Sequence, residues 1–308
     1  MTCRSKHANL PQYTAARVIN QVLVGTVLLL CPPRTCSRAK TLPGGESAKV
    51  PKKLNSVQIR VTSICRREFA RDVYRPGVIS LSRIVWGSLG GSIALAIIGM
   101  LSKVAGIGVL FPPLAATCFI NSSCVYLRVA RPKPVIVGHF VSAIGGLAGV
   151  WTGDLLAGGT DFVIPLKLSL ALLYAAVLMQ VFDADHPPAA ATAVIPAILP
   201  LPMPAQLFPV YMAWGATIAV LFALVWNRVW FEFPAKDDDY CVKYAGLYME
   251  KLQVWGMALC MVSTLLMSCK QVASTLYSIG LWGMTLGVLL LGMHHFVVAL
   301  VTPKTENH

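Results

Sequence analysis

"DADHPPAAATAVIP", residues 183–196, sets two acids and a histidine directly before a Pro-Pro pair and follows them with small apolar residues. Proline belongs in the first turn of a helix, where its missing N–H would have had no partner. Pro187 and Pro188 therefore mark a helix start, and the run from Pro187 to Leu199 has only 13 residues. As a helix it covers about 20 Å of a hydrocarbon core roughly 30 Å thick. It is predicted to be a half-helix set deep in a bilayer.

The flanking sequence explains why a bilayer is the right medium. The 308-residue chain is 56% apolar and only 13% charged, with a mean hydropathy of +0.66. That is too apolar for an ordinary soluble domain. Apolar stretches fall at about residues 84–101, 104–127, 138–157, 163–182, 187–199, 205–227, 254–269 and 273–301. The fold class expected is an all-α membrane protein, a polytopic bundle with short or broken Pro-Pro helices and room for an inverted repeat. The stretch at 104–127 is one of the broken ones, because Phe111, Pro112 and Pro113 interrupt its middle.

The net charge of +13 is concentrated at one end. Residues 1–83 hold 15 Lys and Arg against Glu46, Glu68 and Asp72, which leaves only +1 for the rest of the chain. No interleaved aromatics or zinc spacings accompany the basic residues, so a nucleic-acid partner is not expected. From Met1 to Arg67 the only acid is Glu46, a composition that suits an organelle transit peptide. The apolar run from Val22 to Cys31 is too short to span and suits a signal core, consistent with two-step import into a complex plastid. A solvated cytoplasmic tail is the alternative. The domains expected are a leader over 1–70, a transmembrane domain over 71–235, and a linker with two further helices over 236–308. The "KDDDY" at 236–240 reads as a solvated linker.

The nine cysteines contain no C-x-x-C, so no zinc site, disulfide framework or other cofactor is expected. Basic residues set the orientation. Arg71, Arg75 and Arg83 precede the first span, Arg128, Arg131 and Lys133 follow the second, and Arg228 follows the 205–227 span. Counting 187–199 as a crossing puts all of them on one face, read as the stromal or cytosolic one.

"PPLAATCFI" from Pro112 echoes "PPAAATAVI" from Pro187: Ala115, Ala116 and Thr117 match Ala190, Ala191 and Thr192. The orientation makes the two segments antiparallel, and interrupted helices at matching positions of inverted elements point to a transporter's substrate site. A helix start in lipid leaves N–H groups and about half a positive charge unsolvated, which an anion can satisfy. The binding residues expected are Pro113, Ala115, Ala116 and Thr117 on one segment. His186, Pro187, Pro188, Ala189, Ala190, Ala191 and Thr192 are their counterparts on the other. The alanines let backbones approach closely, while each threonine either donates to the ligand or bonds back to its own helix. Both Pro-Pro pairs have a second reading, as kinks that let helices pack.

Arg131 and Lys133 are candidates for gathering anions at the inner mouth, although the positive-inside bias alone places cations there. Asp183 and Asp185 would repel an anion. The role expected for Asp185 is to cap the half-helix, the alternative being proton coupling or a metal. His186 either exchanges a proton or bonds a backbone carbonyl. His139 is placed at a helix mouth, hence at the interface, and His294-His295 in packing or at an interface instead of on a metal.

At these residues the chain resembles the HPP family of integral membrane proteins. "DADHPPAAATAVIP" is similar to its His-Pro-Pro hallmark, "PPLAATCFI" to a Pro-Phe-Gly-Ala-Ser block, and "ARPKPVIVGHFVSAIGG" to an Ala-Gln-Pro-Arg-Asn-x-x-x-Gly-His segment. The resemblance covers about residues 75–235. It implies four or more membrane helices and, from plastid and cyanobacterial members, nitrite transport. The matching positions are His186, Pro187, Pro188, Ala189, Ala191, Thr192, Pro113, Ala116, Pro132, Gly138 and His139. Arg131, Lys133 and Pro134 stand where the family has Gln, Arg and Asn, and Ala115 and Ala190 where glycine is usual. Lysine lacks the planar fork that grips an anion with two bonds.

The function expected is transport of a small inorganic anion, nitrite by resemblance, in the inner plastid envelope or another membrane, without enzymatic activity. The partners expected are the lipid bilayer and that anion; a homo-oligomer is compatible. The rivals are a cation, metal or proton-coupled permease using Asp183, Asp185 and His186, and an intramembrane hydrolase, disfavoured because no nucleophile motif accompanies the cluster.

Overall fold

The computed structural model describes residues 60–62, 78–231 and 251–301, so the predicted leader, apart from 60–62, and the linker at 236–240 lie outside the described residues. Two three-residue strands, β1 (Arg60–Thr62) and β2 (Val78–Ser80), pair in parallel ahead of the first helix. Everything else that is regular is helical, and the protein is an all-α polytopic membrane bundle.

A π-helical turn, Arg83–Gly87, leads into α1 (Ser88–Ala105). Then follow α2 (Pro112–Ser123), α3 (Pro132–Ala157), α4 (Val163–Val181), α5 (Pro187–Ile198) and α6 (Phe208–Trp230). The hairpin α7 (Lys251–Ser268) and α8 (Ser274–Val301) completes the described chain. Six helical stretches among the described residues are long and apolar enough to cross a bilayer. The exceptions are α2 and α5, each of 12 residues and hence about 18 Å long.

Both short helices begin at true breaks. Phe111 and His186, the residues before each Pro-Pro pair, have extended backbones (φ −111°, ψ 152° and φ −138°, ψ 102°), as steric clash with a following proline requires. The reading of these pairs as kinks in continuous rods is excluded. Ahead of α2, Gly106 turns the chain in the left-handed region at φ 64°, which glycine adopts without a Cβ penalty.

The six helices α1–α6 form two triplets with the same plan, long–short–long. Alternate crossing makes the triplets run in opposite directions. The packing repeats as well: α1 lies on α2 as α4 lies on α5, α3 packs on α4 and α5, and α6 packs on α1 and α2. The third helix of each triplet is central, with 67% and 78% of the apolar windows of α3 and α6 buried, against 22% and 17% for those of α1 and α4. Each central helix opens with a proline followed six residues later by a glycine under the partner triplet's short helix. Gly138 faces Ala184 O, His186 Cβ and Ala189 Cβ, and Gly215 faces the Leu114 side chain.

The α3–α4 contact rests on a glycine stripe. A Cβ on Gly145 would sit 2.6 Å from Ala175 N, and Gly149 meets Ala171 and Gly153 meets Lys167 in the same way. Small residues four apart let the two backbones approach, which drives association where lipid removes the hydrophobic term. Exposed apolar side chains such as Trp151, Leu155, Leu172, Leu173 and Val225 cover the outer faces, as a lipid-facing surface demands.

Candidate functional site

The two short helices come together through their threonines. Thr117 and Thr192 are each the sixth residue of their helix, and His139 of α3 reaches both: its Nε2 is 2.7 Å from Thr117 Oγ1 and its Nδ1 is 2.8 Å from Thr192 Oγ1. Thr117 Oγ1 also lies 2.9 Å from His186 Nε2, and His186 Nδ1 lies 2.8 Å from Val129 O. The imidazole centroids are 5.4 Å apart at 61°. Thr117, His139 and Thr192 have no solvent exposure and His186 has 1%. This is a closed polar cluster inside an apolar bundle.

His139 is thus not at an interface, as its expected place at a helix mouth implied. The helix begins at Pro132, six residues before the predicted 138, because Pro132 and Pro134 start the helix instead of preventing it. That earlier start carries His139 two turns inward.

Hydrogen placement follows from the donors available. Val129 O only accepts, so His186 Nδ1 carries a proton and donates to it. In the neutral ring His186 Nε2 then accepts, and Thr117 Oγ1 donates to it. The Thr117 oxygen in turn accepts from His139 Nε2–H, and Thr192 donates to His139 Nδ1. With both rings neutral, every polar group in the chain from Thr192 to Val129 is paired, which a buried site requires.

The echo between the short helices extends to burial. Pro113 and Pro188, Leu114 and Ala189, and Thr117 and Thr192 are buried, Ala115 and Ala190 are half-buried, and Pro112 and Pro187, like Ala116 and Ala191, are exposed. Ala116, Ala191 and Pro187 therefore turn away from the cluster, contrary to the expectation that they bind there. Pro113, Pro188 and Ala189 share the threonine face of their helices, three or four positions before Thr117 and Thr192, whereas Ala115 and Ala190, two positions before, lie on the opposite face.

Free backbone amides are scarce at both starts. The four prolines have none. In α2, Phe111 N–H donates to Val109 O at 2.8 Å and Leu114 N–H to Phe111 O at 3.0 Å, and in α5 Ala189 N–H donates to His186 O at 2.8 Å. The N–H cradle expected there is already used within the chain. Thr117 and Thr192 lie about 7 Å along their own axes from the helix starts, while His186 stands at the start of α5 itself.

Neither aspartate caps α5. The capping position is His186, with no side-chain cap bond. Asp183 has a left-handed backbone, φ 51°, and faces away to pair with Arg128 and, at 3.5 Å, with Lys133 Nζ. Lys133 sits in the first turn of α3 with its side chain 11% exposed, and Arg131 is the residue preceding that helix. Asp185, though exposed at its surface, is raised from its ordinary value of 3.8 by partial desolvation and then by the Asp183 charge, with Arg128 opposing. His186 is turned to Thr117 and Val129 and away from both acids, and no group of three His, Cys, Asp or Glu among the described residues is placed to hold a metal.

The pseudo-symmetry fails at the histidines. The position of His186 before α5 is held before α2 by Phe111, and the residue after Gly215, where His139 follows Gly138, is Ala216. Phe111 packs edge-on against Phe208 at 5.9 Å. Each triplet therefore contributes one imidazole and one phenyl ring: His139 of α3 meets His186 before α5, and Phe111 before α2 meets Phe208 of α6. Farther off, Asp154 pairs with Lys167 at 2.6 Å, and His294 Nδ1 lies 3.1 Å from Gln253 Nε2.

Comparison with known proteins agrees with this architecture. A transmembrane protein of Dictyostelium discoideum is 32% identical over 125 residues, which cover 39% of this chain and 42% of that protein. The chain thus spans less than half the length of that relative. No solved structure matches. Residues 76–234, from the β2 strand through α6, match the transmembrane region that defines the HPP proteins, and the chain belongs to the HPP transmembrane family.

Proposed function

We propose that the protein carries a small inorganic anion, nitrite or one of similar size and charge, across its membrane, and that the anion passes the His139–Thr117–His186–Thr192 cluster. One observation carries the reading: a fully buried polar cluster sits where two oppositely directed half-helices cross, at the heart of two inverted triplets. In transporters built from inverted repeats the substrate site lies at such a crossing of discontinuous helices. The helix dipoles favour negative charge on either side of the cluster. An anion entering the cluster takes its donors from the Thr117 and Thr192 hydroxyls and the two imidazoles, in exchange for bonds these groups make to one another. Arg128 and Lys133, held by Asp183, supply cationic attraction at the approach.

The test is nitrite uptake into liposomes holding the full chain. Uptake is expected to survive Asp183→Asn, which leaves Arg128 and Lys133 cationic, and to fall at least tenfold in Pro188→Leu, which disturbs the start of α5. Nitrite uptake lost with Asp183→Asn and retained in Pro188→Leu moves the path from the start of α5 to the Asp183 ion pairs, and absence of protein-dependent nitrite uptake in the wild-type chain refutes the anion reading. The acid-poor stretch 1–67 supports placement in a plastid envelope, checked by imaging residues 1–80 fused to a fluorescent protein.

A further inference from the structure

The cluster has a second complete hydrogen-bond arrangement, and it holds one more proton. Thr117 Oγ1 lies 3.1 Å from Pro113 O as well as 2.9 Å from His186 Nε2. One hydroxyl proton cannot serve both. When it points to His186 Nε2, both rings are neutral. When it rotates to Pro113 O, the Thr117 oxygen offers two lone pairs, one to His139 Nε2–H and one to a newly protonated His186 Nε2–H. His186 Nδ1–H still donates to Val129 O and Thr192 still donates to His139 Nδ1. No heavy atom moves between the two arrangements, and none is left unpaired in either. A second added proton would sit on His139 Nδ1 beside Thr192, and it is opposed by charge, because two imidazolium rings with centroids 5.4 Å apart repel each other.

We propose that His186, switched by the Thr117 hydroxyl, takes up one proton with each anion, so that the transported unit is electroneutral. This rests on the anion reading and deepens it by naming the co-transported ion. The neutral cluster offers an anion few donors, since the prolines have removed the amides. The protonated cluster offers an imidazolium and a nearby helix start. Anion and proton therefore stabilise each other at the site, and both leave together. The surroundings are compatible with a single added charge. Arg128 and Lys133 are engaged with Asp183 at the approach, with Asp185 beside them. Of the packed helices, α2 adds Cys118, α4 adds Tyr174 and the Asp154-paired Lys167, α6 adds Tyr211 and Arg228, α8 adds Tyr277 and His294, and α5 adds no ionisable group.

The experiment measures nitrite uptake and internal pH together, using liposomes of the wild-type full chain, a trapped pH dye and a potassium–valinomycin clamp. Leakage of nitrous acid is subtracted with protein-free liposomes. The expected result is uptake driven by an inward proton gradient at zero potential, one proton per nitrite, with no response to a potential imposed at equal pH. Thr117→Val, which keeps the shape and removes the switch, is expected to lose gradient-driven uptake at least tenfold, with Thr117→Ser restoring it. Uptake that follows the potential without internal acidification overturns the proton step and leaves the anion reading standing. Absence of protein-dependent nitrite uptake under any gradient overturns both.

Discussion

Thr117 holds a position no other residue shares among the described ones: its one hydroxyl lies within hydrogen-bond distance of two histidines and a carbonyl. Removing that hydroxyl leaves two buried imidazole nitrogens without a partner, at a cost of about 1–3 kcal/mol. Thr117→Val is therefore expected to lower the thermal midpoint in detergent more than Thr192→Val, which strips a partner only from His139. Equal shifts would mean that the hydroxyl is not shared. The Asp185 carboxyl offers a test with a sign. Its folded value is raised, so its contribution to stability is fully present below the ordinary aspartate range and is lost as pH rises through the raised value. Asp185→Asn is expected to be more stable than wild type near pH 7 and indistinguishable near pH 3, measured by thermal melts. The motif residues around Pro188 were legible in the sequence because proline and alanine act locally. His139 was not, since its role depends on where α3 begins and on which helices surround it, and a proline pair before a span reads equally as a stop or a start.

The elements show the same division. The break before α2 and the shortness of α5 follow from Pro-Pro pairs and run length, which need no knowledge of neighbours. The use of the first-turn amides within the chain does not follow, because Phe111 N–H finds Val109 O only once the loop after Gly106 has turned. Asp185 failed as a cap because the helix begins immediately after His186, leaving that histidine in the capping position. The α3–α4 stripe gives a prediction at this scale. Gly149→Leu places a branched side chain where the backbone around Ala171 already lies. It is expected to abolish a monodisperse peak in size-exclusion chromatography, whereas the same change at Gly159, whose missing Cβ would meet nothing within 4 Å, leaves the peak in place despite the strain of its positive φ.

For the whole molecule, two inverted triplets explain why a six-helix unit has two short members in matching places. Their departure from symmetry explains where polar chemistry resides: imidazoles on one side of the crossing, Phe111 and Phe208 on the other. The α7–α8 hairpin, beyond the family region, is fastened near the break in the first triplet. Lys270 Nζ donates to Gly106 O at 2.9 Å and to Tyr211 Oη at 3.1 Å, and Trp214 Nε1 donates to Thr264 O at 3.1 Å. Lys270→Met is expected to destabilise the fold by about 1 kcal/mol, the usual net worth of a hydrogen bond, because the Lys270 bond to Gly106 is solvent-exposed; it is read as a lower thermal midpoint. The central claim is that the crossing of α2 and α5 is where an anion rests. Anomalous diffraction from crystals grown in bromide addresses it most directly. A bromide peak within about 3.5 Å of Thr117 Oγ1 and His186 Nε2 is the expected result. Bromide found only beside Arg128 and Lys133, with the His–Thr cluster intact and empty, would contradict it.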